Sequence, residues 1–471
     1  MRHAGQFRKS PVILQMLWVA LCFTLTSAVY LSWLDRLVAL TGGIAADWLS
    51  MVAGYFFQAA GIGAAIPLLR KAGQQRSFLI VLTLFAVVTV PTLLTDSAAG
   101  VVAFGWVLNL LCGMIAGFYL LGINREGKSL IFGGGYAIAS VVVGLLYLVG
   151  RGVLLRGRYS LLFYICLTAA LGWLTVGGRL LSTPLPDAPE AAKPSELFPE
   201  KDRRLLPMAC AAAVLVSLVK NLGFGFPSAD IEAGLIPELS RIPYALGLTA
   251  AGFITERSRR SGMLSTVAAL MIPFIMLGLL NEPVSSTVFW GLDFVFFGFF
   301  SVYRVVLFLD IAEKTRRPEL APLGLLLGRI GDAAGTTVHL LLNQQKILLV
   351  SSAAILFALA VFLLFRLYTR IYEPEISLER NRQAEFEAFC MRHDLSAREK
   401  EIFRMLTEGR TNGEIAAQLF ITENTVKYHI RNIFQKTGVR NRADLQKKYI
   451  LALYPEIRFE DEPGGKIIRM M

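Results

Sequence analysis

Apolar runs of roughly 18–25 residues recur from Pro11 to about Tyr368, each long enough to cross about 30 Å of hydrocarbon. They lie near residues 12–34, 46–69, 78–95, 99–122, 130–150 and 160–178, and again near 204–225, 239–256, 262–281, 285–309, 321–343 and 347–368. This pattern predicts about twelve transmembrane helices, six on either side of a polar break. The break, residues 181–203, carries Pro184, Pro186, Pro189, Pro194 and Pro199 among alanines and charges, the composition of a flexible cytoplasmic loop. The membrane domain is therefore placed at 1–370, with halves 1–180 and 204–370. Its first apolar run has no small-residue cleavage site and reads as an anchor, not a leader.

From Ile371 the pattern changes. Residues 371–390 are polar and read as a juxtamembrane linker; extended, Thr369 to Leu395 would reach at most roughly 90 Å. Residues 391–452 then predict four short helices. Ser396-Ala397-Arg398-Glu399 and Thr411-Asn412-Gly413-Glu414 are capping boxes, in which hydroxyl and carboxylate satisfy early backbone N–H groups. Behind the first, Ile402, Phe403 and Leu406 share one face; behind the second stand Ile415, Ala416 and Leu419. Thr422 is the expected N-cap of a third helix, with Val426, Ile430 and Ile433 inward and Gly438 at its end. A fourth helix runs from Arg442 to about Leu451, and 453–471 remain as a tail. The expected fold class is all-α, a polytopic helix bundle followed by a four-helix domain.

Composition supports this division. The 471 residues are 55% apolar and 17% charged, against about 45–50% and about 25% for soluble domains. Disorder and a disulfide scaffold are excluded. The five cysteines are scattered without a C-x-x-C pair, and no hydrolytic, redox or metal constellation is visible. No enzyme, cofactor or metal is therefore expected. The net charge of +12 suits basic cytoplasmic loops and a nucleic-acid partner alike. Basic clusters at Arg70/Lys71/Arg76, Arg125/Lys128, Arg257/Arg259/Arg260 and Lys314/Arg316/Arg317 place both termini in the cytoplasm; Arg151, Arg156 and Arg158 are the outer exception.

Two short helices joined by a tight turn form a helix-turn-helix. Lys427, Tyr428 and Arg431 stand clear of its apolar face, positioned for a major groove. Seven cations from Lys427 to Lys448, among them Lys436, Arg440 and Arg442, face Asp444 alone, a field that attracts phosphate. Within the membrane domain, Arg329, Asp332, Thr336 and His339 share one helical face, as do Asp293 and Arg304. Charges at that depth are costly and tend to face a cavity or a partner. An Asp293–Arg329 or Arg329–Asp332 ion pair lining a cavity is expected, with Lys220, Asn221, Gln58 and Asn109 as further candidates. Arg329, Lys220 and His339 would tolerate an anionic organic ligand. The alternative is a buried packing network that fixes helix register.

The six-plus-six arrangement resembles the major facilitator fold, over about 360 residues. Gly252-x-x-x-Glu256-Arg257-Ser258-Arg259-Arg260 is similar to that family's G-x-x-x-D-R-x-G-R-R loop, with Glu for Asp and Arg for the second Gly. The corresponding loop from Arg70 to Arg76 lacks the acidic residue, which weakens the case for active transport. The string from Leu395-Ser396-Ala397-Arg398-Glu399 through Thr422-Glu423-Asn424-Thr425-Val426-Lys427 to Val439-Arg440-Asn441-Arg442 closely resembles the LuxR/FixJ/NarL DNA-binding domain, with Thr411 for the usual Ser and Asp444 for the usual Glu. That resemblance implies that Lys427, Tyr428 and Arg431 contact base edges or nearby phosphates, while Thr425 and His429 contact backbone or support the helix. It implies a homodimer through the fourth helix on promoter DNA, with RNA polymerase as a further partner. Together the two parts resemble membrane-tethered LuxR regulators of the bacterial inner membrane, sensing a small molecule. The alternatives are a small-solute transporter with a fused regulatory domain, and a C-terminal module that binds protein.

Overall fold

A computed structural model describes residues 12–70, 73–123, 127–150, 158–181, 205–222, 241–272, 283–342, 345–453, 457–459 and 468–470. The central loop at 182–204 lies outside the described residues, as do Arg151 and Arg156. Two compact units divide the chain, Met1–Ile371 and Tyr372–Met471.

Every predicted apolar run contains a helix. The first half has α1 (Val12–Thr41), α2 (Gly43–Asp47) continuing through a π-helical turn (Trp48–Gly54) into α3 (Tyr55–Arg70), α4 (Gln74–Leu94), α5 (Ala98–Gly122), α6 (Lys128–Gly150) and α7 (Arg158–Gly177). The second has α8 (Leu205–Lys220), α9 (Arg241–Arg257), α10 (Arg259–Ala269), α11 (Pro283–Lys314), α12 (Leu323–Leu342) and α13 (Lys346–Ile371). Eight spans among the described residues are long and apolar enough to cross a membrane. The other four helices all belong to the second half. Three of them, α8, α9 and α10, have 16, 17 and 11 described residues. The fourth, α12, carries Arg329, Asp332 and His339.

Close helix approach in the membrane domain depends on small residues, because lipid offers no hydrophobic drive for helices to associate. A Cβ on Gly61 of α3 would fall on the Leu110 carbonyl of α5, and one on Gly113 of α5 on the Gln58 carbonyl of α3. Across the two halves, a Cβ on Gly133 of α6 would lie 2.7 Å from the Leu248 carbonyl oxygen of α9. The Gly133-Gly134-Gly135 run therefore serves packing.

The second unit consists of α14 (Glu373–Arg392), α15 (Ala397–Thr407), α16 (Asn412–Leu419), α17 (Glu423–Thr437) and α18 (Arg442–Leu453). A short antiparallel pair follows, β1 (Ile457–Phe459) with β2 (Ile468–Met470), in the stretch read as a tail. Both capping boxes are formed. Ser396 N–H donates to Glu399 Oε2 at 2.8 Å and Glu399 N–H to Ser396 Oγ at 3.3 Å; Thr411 and Glu414 repeat this at 2.8 and 3.3 Å. Gly438 ends α17 at φ 68°, where a side chain would be strained.

The segment read as a linker is a helix. Phe386, Phe389 and Cys390 of α14, spaced i, i+3 and i+4, lie on one face and are buried in the core of the unit. Phe386 and Phe389 stack on Phe403 at centroid distances of 5.3 and 5.1 Å, and Tyr449 of α18 meets the Phe403 ring edge-on at 5.2 Å. The core thus begins upstream of the helix-turn-helix. As a helix, α14 spans about 30 Å at 1.5 Å per residue, not the 90 Å of an extended linker.

Gly113→Ala should destabilise the membrane domain by about 1–3 kcal/mol through overpacking, read as a lower unfolding midpoint of the detergent-purified chain. In the C-terminal unit, Glu399 ties stability to pH. Burial opposes its charge, but hydrogen bonds from Lys436 and Ser396 outweigh that and hold its carboxyl below the ordinary value. A depressed folded-state pKa contributes stability above the ordinary Glu value, lost as pH falls through the folded one. Hydrogen exchange in the C-terminal unit should therefore become less sensitive to acid in Glu399→Gln, and an unchanged pH dependence would rule out this linkage.

Candidate DNA-recognition surface and membrane cavity

The turn between α16 and α17 is set locally. Phe420 adopts φ 54°, and the Ile421 N–H closes back on the Ala416 carbonyl at 3.0 Å. Thr422 then caps α17, accepting from the Thr425 N–H at 3.2 Å, while the two threonine hydroxyls lie 2.9 Å apart. Thr425 thereby supports the helix start. Val426 and Ile433 are buried and Ile430 packs partly behind them, which turns the opposite face of α17 outward. Lys427, Tyr428 and Arg431 are exposed on that face, and Tyr428 keeps 63% of its surface. Half-buried His429 sets its ring edge-on to Tyr428 at 5.6 Å.

The cation field read from the sequence divides into two groups. Lys427, Arg431 and Arg440 form no hydrogen bond or ion pair among the described residues. Lys436 instead donates to Glu399 Oε2 and to the Asp394 carbonyl, both at 2.8 Å. Arg442 donates to the Leu406 carbonyl at the end of α15, at 3.2 Å. These two, with Lys448 donating to the Thr437 carbonyl at the end of α17, hold helix ends together, the role cations play beside orphan carbonyls. Charge counting along the sequence does not separate the two uses.

In the membrane domain the polar face of α12 meets α8 and α11. Asp332 is fully buried and accepts from three cations: Lys220 at 3.0 Å, Arg304 at 3.3 Å and Arg329 at 3.4 Å. Arg304 also donates to Ser217 at 2.6 Å, and Asn221 donates to the Asp332 carbonyl at 2.9 Å. The Arg329–Asp332 alternative of the two expected pairs is formed. The side chain of Asp293 lies outside the described residues. His339 points elsewhere: its Nδ1 is 2.6 Å from the Leu222 carbonyl oxygen. Gln58 and Asn109 hydrogen-bond each other at 2.7 Å.

Beside this cluster a cavity of about 130 Å³ opens between the two halves. Phe23, Tyr30, Tyr55, Tyr119 and Tyr136 line it from the first half, and Arg241 and Arg329 from the second. Arg329 stacks on Tyr55, its guanidinium 4.7 Å from the ring centroid. Tyr55 is the first residue after the π-helical turn, a distortion frequent at functional sites. Sequence reasoning missed Arg241, which reads as a cation at a helix start, and the tyrosines, which carry no spacing signal.

At the opposite end of the helices the halves are tied by charge. Lys128, at the start of α6, pairs with Asp310 and with Glu313 of α11, the latter at 2.7 Å. Arg259 pairs with Asp310 at 2.8 Å and donates to the Ser129 hydroxyl at 3.2 Å; the Ser129 N–H donates to Glu256 at 3.0 Å. The loop motif around Glu256 thus belongs to a bridge between halves.

Residues 393–448 match the family described as bacterial regulatory proteins, luxR family. Over 49 residues the chain is 53% identical to the probable transcriptional regulatory protein SgaR of Hyphomicrobium methylovorum, an alignment that takes in 10% of this chain and 23% of SgaR. It is 49% identical over 49 residues to the spore germination protein GerE of Bacillus subtilis, covering 10% of this chain and 66% of GerE. The chain therefore spans less than two thirds of the length of either relative. In structure, 76% of the chain is similar to 99% of the E. coli fucose:proton symporter FucP, with a TM-score of 0.53 and 11% identity. These likenesses are to regulators and a transporter, not to enzymes. Residues 393–448 form a luxR-family helix-turn-helix DNA-binding domain, on a chain whose multi-pass membrane domain has the major facilitator fold.

Proposed function

We propose that the protein is a one-component transcriptional regulator embedded in the bacterial inner membrane, with both termini in the cytoplasm. Its membrane domain senses a small molecule, and its helix-turn-helix binds promoter DNA. The observation that carries this reading is the outward face of α17, where Lys427, Tyr428 and Arg431 stand exposed on the second helix of a luxR-family domain. In such motifs the second helix enters the major groove and dimers bind half-sites about one helical turn apart. We assign dimerisation to α18, and contact with RNA polymerase to the bound dimer. Orientation rests on the basic loops. No receiver-type phosphoacceptor region precedes the output domain in the sequence, so phosphorylation by a partner kinase is not part of this reading.

Sensing requires two states that a ligand binds unequally. The cavity between the halves and the charge bridge at the other end supply the elements for such a pair. The same cavity would suit transport, and uptake of labelled solute by proteoliposomes would favour that second reading.

Genome-wide occupancy of the tagged protein should give discrete peaks that vanish in the Lys427→Ala/Arg431→Ala double variant. For every phosphate that the variant no longer neutralises, the slope of log affinity against log salt should also fall by about 0.9. Peaks that persist in the variant would reject the assigned recognition face. Lys128→Gln removes one of the cations that tie the halves, and expression from occupied promoters should then depend less on the growth condition. An unchanged response would separate the bridge from signalling.

A further inference from the structure

We infer that the membrane cavity takes a small organic anion with a planar body about the size of one ring, its carboxylate-class group facing Arg329 and Arg241. The inference deepens the sensory reading above and rests on it for its consequence, not for the binding itself.

Charge is the first argument. Lys220, Arg304 and Arg329 share one carboxylate, Asp332. Among the described residues, three cations and one anion leave an excess of two positive charges at membrane depth, where an unbalanced charge is costly. Of the three, Arg329 alone also lines the cavity, where its guanidinium stacks on Tyr55, so it has the least exclusive claim on Asp332. A second guanidinium, Arg241, lines the same cavity, and no acidic side chain does so among the described residues. A cationic ligand would meet two like charges there. A neutral one would leave the excess uncompensated.

Shape and surface give the ring. A cavity of about 130 Å³ is close to the roughly 150 Å³ that holds a benzene in an engineered protein core. Five aromatic side chains wall it, and Phe23 and Tyr136 already stack at 3.9 Å. Tyrosine hydroxyls and guanidiniums are donors suited to carboxylate oxygens, and guanidinium binds such a group bidentately. The two halves contribute differently, aromatic from the first and cationic from the second. A ligand with a ring at one end and a carboxylate at the other would therefore touch both halves at once.

The test uses the full chain purified in detergent. Benzoate, phenylacetate and cyclohexanecarboxylate are compared with benzamide and phenylacetamide, the readout being the thermal unfolding midpoint as the probe is titrated. The carboxylates should raise the midpoint saturably and the amides should not. Arg329→Gln and Arg241→Gln should each weaken the apparent affinity for the carboxylates at least tenfold. Arg241 lies outside the Asp332 cluster, so its variant carries the test if Arg329→Gln fails to fold. Equal shifts by carboxylates and amides, shifts that survive both substitutions, or no shift by any carboxylate would each overturn the proposal. Retention of the DNA fragments found by genome-wide occupancy is then measured with and without the effective carboxylate. Binding that leaves DNA retention unchanged keeps the anion site and overturns sensing. Retention that responds to a neutral amide alone keeps sensing and overturns the anion.

Discussion

One carboxylate organises the second half of the membrane domain. Asp332 has no exposed surface and accepts from α8 through Lys220, from α11 through Arg304 and from its own helix through Arg329. A lone carboxylate at that depth is disfavoured by several kcal/mol, and losing a buried partner costs about 3–5 kcal/mol. Register between α8, α11 and α12 is therefore tied to one side chain, more narrowly than dispersion alone would tie it. The buried-network reading and the cavity reading are two aspects of one cluster. Lys220 and Arg304 reach Asp332 from neighbouring helices, and Arg329 touches both Asp332 and the cavity wall.

Much of this is legible in the sequence, where the signal is local. Twelve apolar runs, both capping boxes and the inward Val426/Ile430/Ile433 face depend only on spacing within one helix, and each element is present. So does the shared face of Arg329, Asp332 and Thr336. What the sequence hides is the register between helices. Spacing groups Arg304 with Asp293 because they share a helix; its observed partner lies 28 residues further along the chain on α12. Lys436 and Arg442 count as phosphate-binding charge in the sequence because a cation that binds a helix end looks the same there as one facing solvent. Phe386, Phe389 and Cys390 have helical spacing, but the polar residues before them set the composition of the stretch and suggest a linker.

Arg241 and Glu256 lie fifteen residues apart on α9, about 22 Å along its axis. The cavity is near one end and the bridge near the other, so one helix reports on both. At the cavity end the second half presents arginines to aromatic rings. At the bridge end the first half presents Lys128 to Asp310 and Glu313 of the second. A ligand touching both halves acts on the interface that Lys128 also holds. Coupling between such sites is typically about 1–3 kcal/mol, and a millimolar ligand binds with about 4 kcal/mol. Even a weak ligand therefore has enough free energy to bias the bridge, provided that its contacts differ between the two states. A domain with the architecture of a transporter needs no transport cycle to signal; it needs two arrangements of its halves that a ligand binds unequally.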